Sequence, residues 1–309
     1  MSKTRGSTPR RITIFGNGLV GASIARILSE KKYIVKSLDS ADLDLADSVK
    51  TNAFIARLDL DDVLIFSAGL SGGIFFNLNN AYELYSANMR MINNFISAAA
   101  DRKFKNVLNI VPACVYPANL TERAKVEDLW RGPMEHSSLA YSTAKISGLV
   151  GFESVRRQMG LNWTNLIVTN VYGIHKNIDQ NKMHVIPALI QKFRNAKSSG
   201  EKSVQLLGDG TSVREFLYSS DLGLAVQSFL ENDLWSVPTL NIGGSEPISI
   251  FDLAKTIADE VGYKGEITVE GGSNNGTSIK LLDDTIFRSA GWKPKVQLRT
   301  GINLLKSST

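Results

Sequence analysis

The chain has 309 residues, 43% hydrophobic and 21% charged, the balance of an ordinary soluble globular protein with room for one large domain or two fused lobes. Its one cysteine, Cys114, excludes an intramolecular disulfide and a cysteine-based metal site, and His136, His175 and His184 lack zinc-type spacing, so no metal is expected. The net charge of +5 is scattered, without basic runs interleaved by aromatics, which disfavours nucleic acid and suits steering of a phosphate-bearing small molecule.

No stretch approaches the roughly 20 apolar residues of a membrane span. The polar, basic start from Met1 to Arg11 does not read as a signal peptide, so the expected compartment is the cytoplasm, with no membrane partner. A β-forming run at 11–15 leads directly into Gly16-Asn17-Gly18-Leu19-Val20-Gly21, and residues 22–31 then carry apolar side chains at helical spacing. A second strand begins at Tyr33-Ile34-Val35. Strand, Gly-x-Gly-x-x-Gly, helix, strand is the order in which glycines permit a tight turn, approach of a pyrophosphate and close helix–strand packing. Asp39 follows about 20 residues on, where a carboxylate accepts hydrogen bonds from an adenosine ribose; a plain turn residue is the alternative.

A third strand at 63–66 runs into Ser67-Ala68-Gly69, again small residues where a loop would pass a cofactor. Residues 81–102 read as a helix and 106–111 as a fourth strand, followed by Pro112-Ala113-Cys114-Val115-Tyr116-Pro117. After a charged excursion at 121–131 comes a helix carrying Tyr141 and Lys145, then a fifth strand at 166–168 that ends in Thr169-Asn170-Val171-Tyr172-Gly173. This alternation predicts an α/β fold with a Rossmann-type, doubly wound parallel sheet and ligands at the carboxyl ends of its strands.

Beyond Gly173 the rhythm changes. Residues 175–183 are polar and irregular; helices are expected at 184–194, 221–229 and 248–261, strands at 203–207, around 241–243 and at 266–270, and a short helix within 280–292. The expected division is a dinucleotide-binding domain at 1–173 plus 214–243, and a smaller α/β substrate lobe at 174–213 plus 244–309.

Tyr141 and Lys145 stand four apart, on one face of a helix. A lysine ammonium beside a phenol favours the phenolate and makes the tyrosine a usable proton donor and acceptor. The spacing alone equally suits a core tyrosine and a solvated lysine.

With these pieces in order, the chain resembles the extended short-chain dehydrogenase/reductases, and within them the GDP-L-fucose synthases, from Ile12 to about Ser307. The matching stretches are 68–74, 114–117, 141–148, 169–173, 184–190, 210–217 and 276–283. The resemblance implies that Tyr141 exchanges a proton with the sugar C4 oxygen while a nicotinamide carries the hydride. Lys145 would hold the nicotinamide ribose and lower the tyrosine pKa. Cys114 and His184 match the acid–base pair that epimerises a 4-keto sugar at C3 and C5, where protons α to a ketone are acidic. A small core residue and a helix start are the alternatives for these two. The resemblance also assigns NAD(P)(H) to Gly16, Asn17, Gly18, Leu19, Val20, Gly21, Asp39, Ala68, Gly69, Tyr141, Lys145, Val168, Asn170, Val171 and His184. It assigns the nucleotide-sugar to Asn170, Lys192, Leu207, Arg214 and Lys280, of which Arg214 and Lys280 could otherwise be surface ion pairs. A homodimer through a four-helix bundle is implied as well.

Three departures from the family pattern stand out. Pro112 stands where a serine hydroxyl would hold the C4 oxygen, and proline has neither a hydroxyl nor an N–H; Ser137, Ser138 or a water could substitute. Losing one such donor typically costs about 3 kcal/mol of transition-state stabilisation. Only Asn17 separates Gly16 from Gly18, where the family has two residues, one of them basic; with Asp39 present, NADP's 2′-phosphate would meet negative charge, so NAD(H) is favoured. Leu207 and Lys192 replace a tryptophan and an arginine, leaving base and sugar open. The resulting expectation is a sugar-nucleotide 4-ketoreductase, with possible 3,5-epimerase activity, acting on a GDP-4-keto-hexose in cell-surface glycan synthesis. The alternatives are a 4-epimerase or dehydrogenase with tightly held NAD, or a nucleotide-binding homologue impaired by Pro112.

Overall fold

The computed structural model describes residues 11–175, 182–271 and 276–308. The irregular stretch expected at 175–183 therefore falls largely outside the described residues. In chain order the first half runs β1 (Arg11–Phe15), α1 (Leu19–Glu30), β2 (Ile34–Leu38), α2 (Ser48–Ile55), β3 (Val63–Phe66), α3 (Ile74–Asn79), α4 (Ala81–Asp101), β4 (Asn106–Pro112), α5 (Leu139–Met159), β5 (Asn162–Val168) and β6 (Asn170–Tyr172). It continues through α6 (Val185–Ser199), β7 (Ser203–Leu206), β8 (Val213–Arg214), β9 (Phe216–Tyr218), α7 (Ser219–Glu231), β10 (Thr239–Ile242), β11 (Ile248–Ser249), α8 (Ile250–Val261), β12 (Glu266–Val269), β13 (Ile279–Lys280), α9 (Thr285–Ser289) and α10 (Leu298–Ser308).

Six strands form the central sheet in the order β10-β5-β4-β3-β1-β2, every neighbouring pair parallel. Parallel neighbours need crossover connections, and helices on both faces supply them. The strands show this burial directly. β3 is buried at all four positions, whereas β2, at the edge, exposes alternate residues. Successive side chains of β1 feed opposite cores. Ile12 and Ile14 pack with Ile24 and Leu28 of α1 and Val226 and Phe229 of α7; Phe15 packs with Phe95 of α4 and Phe152 of α5. The ring pairs Phe15–Phe95 and Phe66–Phe95, at 4.9 and 4.8 Å, tie α4 to the sheet.

The second half returns one strand, β10, to this sheet beside β5. α7 and α9 also pack on this sheet, through Phe229 and Phe287, while α6, α8 and α10 form a separate core around Phe193, Ile257 and Leu305, with the parallel pair β7–β12. A small three-stranded sheet, β11-β8-β13, and the pair β6–β9 complete the architecture. No helix among the described residues is long and apolar enough to cross a membrane.

Several elements differ from the sequence expectation. β5 begins at Asn162, not near Leu166, because its polar residues are satisfied inside the sheet: Asn109 donates to Asn165 at 2.9 Å and Thr164 to the Val237 carbonyl at 3.1 Å. Hydropathy hides such a strand. α2 was also not legible: it buries only Thr51 and Ile55, and its N-cap Asp47 accepts from the Lys50 amide at 3.0 Å. α3 and α10 were likewise unforeseen.

Candidate active site

β1 delivers the chain into the glycine loop between β2 and β3. Gly16 has φ +108°, a conformation open to glycine, and a Cβ on Gly21 would stand 1.7 Å from the Gly16 carbonyl oxygen. The loop therefore turns tightly under the first turn of α1. A Cβ on Gly18, the N-cap of α1, would meet nothing within 4 Å. Open space at a helix N-terminus, with amides free of intrahelical partners, is a cradle that fits a pyrophosphate. Asn17 accepts a hydrogen bond from Ser37 at 3.0 Å, which ties the loop to β2. Leu19 and Val20 form the first turn of α1.

Asp39 follows β2 and is exposed. Its Oδ1 accepts from the amides of Ala41 (2.8 Å) and Asp42 (3.1 Å), so it shapes a turn while leaving carboxylate surface open beside the loop. Ala68 and Gly69 leave β3 next to the glycine loop, and Ser67 bonds the Gly16 carbonyl at 2.9 Å. Val168 ends β5 opposite Pro112 of β4. Asn170 donates to the Glu215 carbonyl at 3.0 Å, and Val171 pairs with Leu217 in β9.

Tyr141 and Lys145 lie one turn apart in α5. Lys145 is 3% exposed, donates to the Ala68 carbonyl at 2.6 Å, and stands 5.7 Å from the Tyr141 ring centroid. Burial lowers its pKa to about 8. Burial, with the Cys114 sulfur adding to it, raises the Tyr141 pKa; a hydrogen bond from Ser71 opposes the rise. The lowering of the tyrosine pKa by the lysine is therefore not found in the protein alone. Desolvation disfavours both charged forms, and the ammonium is directed at a backbone carbonyl.

Cys114 sits in a 3-10 turn (Ala113–Val115) just after β4, partly buried. Burial pushes its thiol up, opposed by Lys280, a hydrogen bond with Ser142 and Lys145, while Glu135 adds to the rise. Ser142 donates onward to Ser138 at 3.2 Å. Lys280 of β13 is the Cα partner of Arg214 in β8, so the two substrate candidates stand side by side. Arg214, whose pKa burial lowers against the pull of Glu135, donates to the Val213 carbonyl at 2.9 Å.

His184 is the N-cap residue of α6, and the Ala188 amide donates to its backbone carbonyl at 3.0 Å. The residue is exposed, yet protein crowded around the ring lowers its pKa. It enters beside the loop after β3: the Met183 carbonyl would stand 2.5 Å from a Cβ on Gly73. Lys192 of α6 is exposed and donates to the Gln205 carbonyl of β7, and Leu207, just beyond β7, is 40% exposed.

Three residues of the cluster were missed by sequence reasoning: Ser71, Ser142 and Glu135. Glu135 accepts from Lys280 (3.0 Å), Thr277 (3.0 Å) and Ser137 (2.8 Å). Burial would raise its carboxyl, but Lys280 and these hydrogen bonds outweigh it and hold the pKa at about 2. No motif marks it; only the fold brings Thr277 and Lys280, more than 140 residues away, onto it.

A family model for the NAD dependent epimerase/dehydratase family matches residues 12–243. The chain belongs to that family. The GDP-L-fucose synthase of Escherichia coli (strain K12) is 33% identical over 303 residues, spanning 95% of this chain and 94% of its own. The GDP-L-colitose synthase of Yersinia pseudotuberculosis is 30% identical over 287 residues, spanning 93% and 92%. Among solved structures, a GDP-D-glycero-L-gluco-heptose synthase from Campylobacter jejuni, crystallised in the presence of NADPH, superposes with a TM-score of 0.86 at 26% identity, covering 98% of this chain and 99% of that one. The epimerase/dehydratase family model ends at Gly243, just beyond β10, the strand that completes the central sheet.

Proposed function

We propose that this protein is a GDP-sugar 4-ketoreductase that uses a nicotinamide cofactor, with 3,5-epimerase chemistry at the same site, in cell-surface glycan synthesis. The observation that carries the reading is Tyr141 and Lys145 one turn apart beside the open glycine loop, with Cys114 against the tyrosine, in a chain alike end to end to GDP-L-fucose and GDP-L-colitose synthases. A 4-epimerase with tightly held NAD and an impaired nucleotide binder are not favoured.

When bound, the cofactor supplies or accepts a hydride at the sugar C4 carbon. The amides at the start of α1 hold its pyrophosphate, and Lys145 holds its nicotinamide ribose. Tyr141 gives its proton to the C4 oxygen. For epimerisation, the directions of the shifts support one order of roles. The neutral imidazole of His184 accepts the α-proton and the neutral thiol of Cys114 returns one from the other side. Arg214, Lys280, Lys192, Asn170 and Leu207 face the nucleotide-sugar.

Asp39 and the single residue between the first two glycines support NAD(H). The homodimer is proposed on α4 and α5, which expose Tyr82, Tyr85, Leu139 and Val150. Residues 1–173 plus 214–243 would form the dinucleotide-binding domain, residues 174–213 plus 244–309 the substrate lobe, and the compartment would be the cytoplasm. The test supplies GDP-4-keto-6-deoxymannose with NADH or NADPH and follows nicotinamide absorbance. Oxidation is expected; none with either cofactor, despite cofactor binding, overturns the reading.

A further inference from the structure

Cys114 sits in a short turn whose shape is set from outside it. The Tyr116 amide donates to the Ala113 carbonyl at 3.1 Å, and Pro112 before the turn brings no amide. β4 fixes the entrance, where Pro112 pairs with Val168 of β5. A side chain fixes the exit. Tyr116 is 4% exposed, and its hydroxyl donates to Asn241 Oδ1 at 2.7 Å, 125 residues along the chain. Ala113, Val115 and Tyr116 join one apolar cluster with Ala124, Leu129 and Leu282, while Cys114 between them stays partly exposed.

Asn241 is itself buried, in β10, level with Ile167 of β5, which is level in turn with Val111 of β4. The Tyr116–Asn241 bond therefore joins the turn after β4 to a strand two places away in the sheet. Asn241 Nδ2 donates to the Ala124 carbonyl at 2.8 Å. That carbonyl can only accept, so the amide nitrogen faces it, the amide oxygen faces the phenol, and Tyr116 is the donor. The same carbonyl receives the Asp283 amide at 2.9 Å, and the Ala124 amide donates to the Leu281 carbonyl at 2.8 Å. The far end of the clamp is thus anchored just beyond β13, the strand of Lys280. Burial pushes the Tyr116 phenol up, against the bond to Asn241, which keeps it a neutral donor.

We propose that Tyr116 and Asn241 are positioning residues for Cys114: the bond between them holds the turn so that the thiol meets the carbon α to the ketone of a 4-keto sugar. The proposal rests on Cys114 as the acid of the epimerisation. Neither residue touches the substrate, and neither gives up a proton. Their effect runs through the backbone of a turn two residues long on that side. Proton transfer between sulfur and carbon demands alignment, and a displacement of about 1 Å can cost about 100-fold in rate. Reduction draws on Tyr141 and Lys145, which α5 carries, and does not need the Cys114 turn. Loss of the pair therefore separates the two reactions.

The test compares the full chain with Y116F and Y116F/N241L. Y116F deletes one oxygen and leaves Asn241 Oδ1 without its donor; the double variant removes both partners, with the Ala124 carbonyl still held by Asp283. Solvent deuterium uptake at C3 and C5 of GDP-4-keto-6-deoxymannose, followed by mass spectrometry, should fall about 10-fold or more in both variants. Reduction of a GDP-4-keto sugar that needs no epimerisation should change less than about 2-fold in kcat and in KM. Alkylation of Cys114, the one thiol of the chain, should quicken in both, because a looser turn opens to solvent more often. Natural uptake in either variant overturns the role of the pair. An equal fall in uptake and reduction overturns it too, since that marks damage to the whole fold. Full uptake in C114A, or none in the natural protein, overturns the acid–base reading of Cys114 instead. The alkylation rate then still decides whether the pair holds the turn, and an unchanged rate in Y116F shows that it does not.

Discussion

Lys280 Nζ lies 3.0 Å from Glu135 Oε2, and both side chains are more than four-fifths buried. This pair joins the entry to α5 to β13, across 145 residues of chain. Glu135 also receives Ser137 and Thr277, so it organises the side of the cluster that faces Cys114.

Removing one partner of a buried pair leaves the other charge uncompensated, which typically costs about 3–5 kcal/mol. E135A should therefore unfold at lower temperature and bind the nucleotide-sugar more weakly, since Lys280 loses its anchor. The pH dependence has a definite sign. The Glu135 pKa is held at about 2 against an ordinary 4.5, so its contribution, about 3 kcal/mol, is present above pH 4.5 and lost as pH falls toward 2. Denaturant melts of natural protein and E135Q should converge over that window and stay apart at pH 7; parallel curves would contradict the pair's role.

Lys145 works against stability. Its pKa falls from 10.5 to about 8, so the folded state bears a penalty of about 3 kcal/mol below pH 8 that is relieved as pH rises toward 10.5. Replacement by methionine removes the penalty but orphans the Ala68 carbonyl, at about 1–3 kcal/mol. K145M should thus melt no lower than the natural protein at pH 7 while losing more than about 100-fold in kcat/KM. Calorimetry and steady-state kinetics on the same preparation check both halves.

Because Cys114 is the one cysteine of the chain, its thiol can be read without interference. Burial raises its pKa, so alkylation should be slow at pH 7 and accelerate only above the ordinary thiol range. C114A should retain reduction of a 4-keto sugar that needs no epimerisation and lose solvent deuterium uptake at C3 and C5, followed by mass spectrometry. Undiminished uptake would remove Cys114 from the acid–base pair.

Asp39 couples turn geometry to cofactor choice. An asparagine keeps the acceptor for the Ala41 and Asp42 amides and drops the charge. D39N should improve KM for NADPH and worsen it for NADH, changing their ratio by about 10-fold. An unchanged ratio would mean that the carboxylate serves the turn alone.

Much of this protein was legible in the residue order. Strand period, the glycine loop and its following helix, and Tyr141 and Lys145 one turn apart are local features, governed by backbone geometry within a few residues, and they led directly to the parallel sheet and its ligand-bearing edge. Long-range electrostatics and polar satisfaction were not legible. β5 begins among asparagines that look like a loop until Asn109 is seen to pair with Asn165.

The same limit applies within the site. Residue order was enough for the fold class, the succession of strands and glycines, and the missing hydroxyl at Pro112. The fold added that burial dominates at Tyr141 and that Glu135 gathers Lys280 and Thr277. The reason is physical: desolvation and hydrogen bonding depend on which atoms surround a group in space, and here those atoms come from segments far apart along the chain.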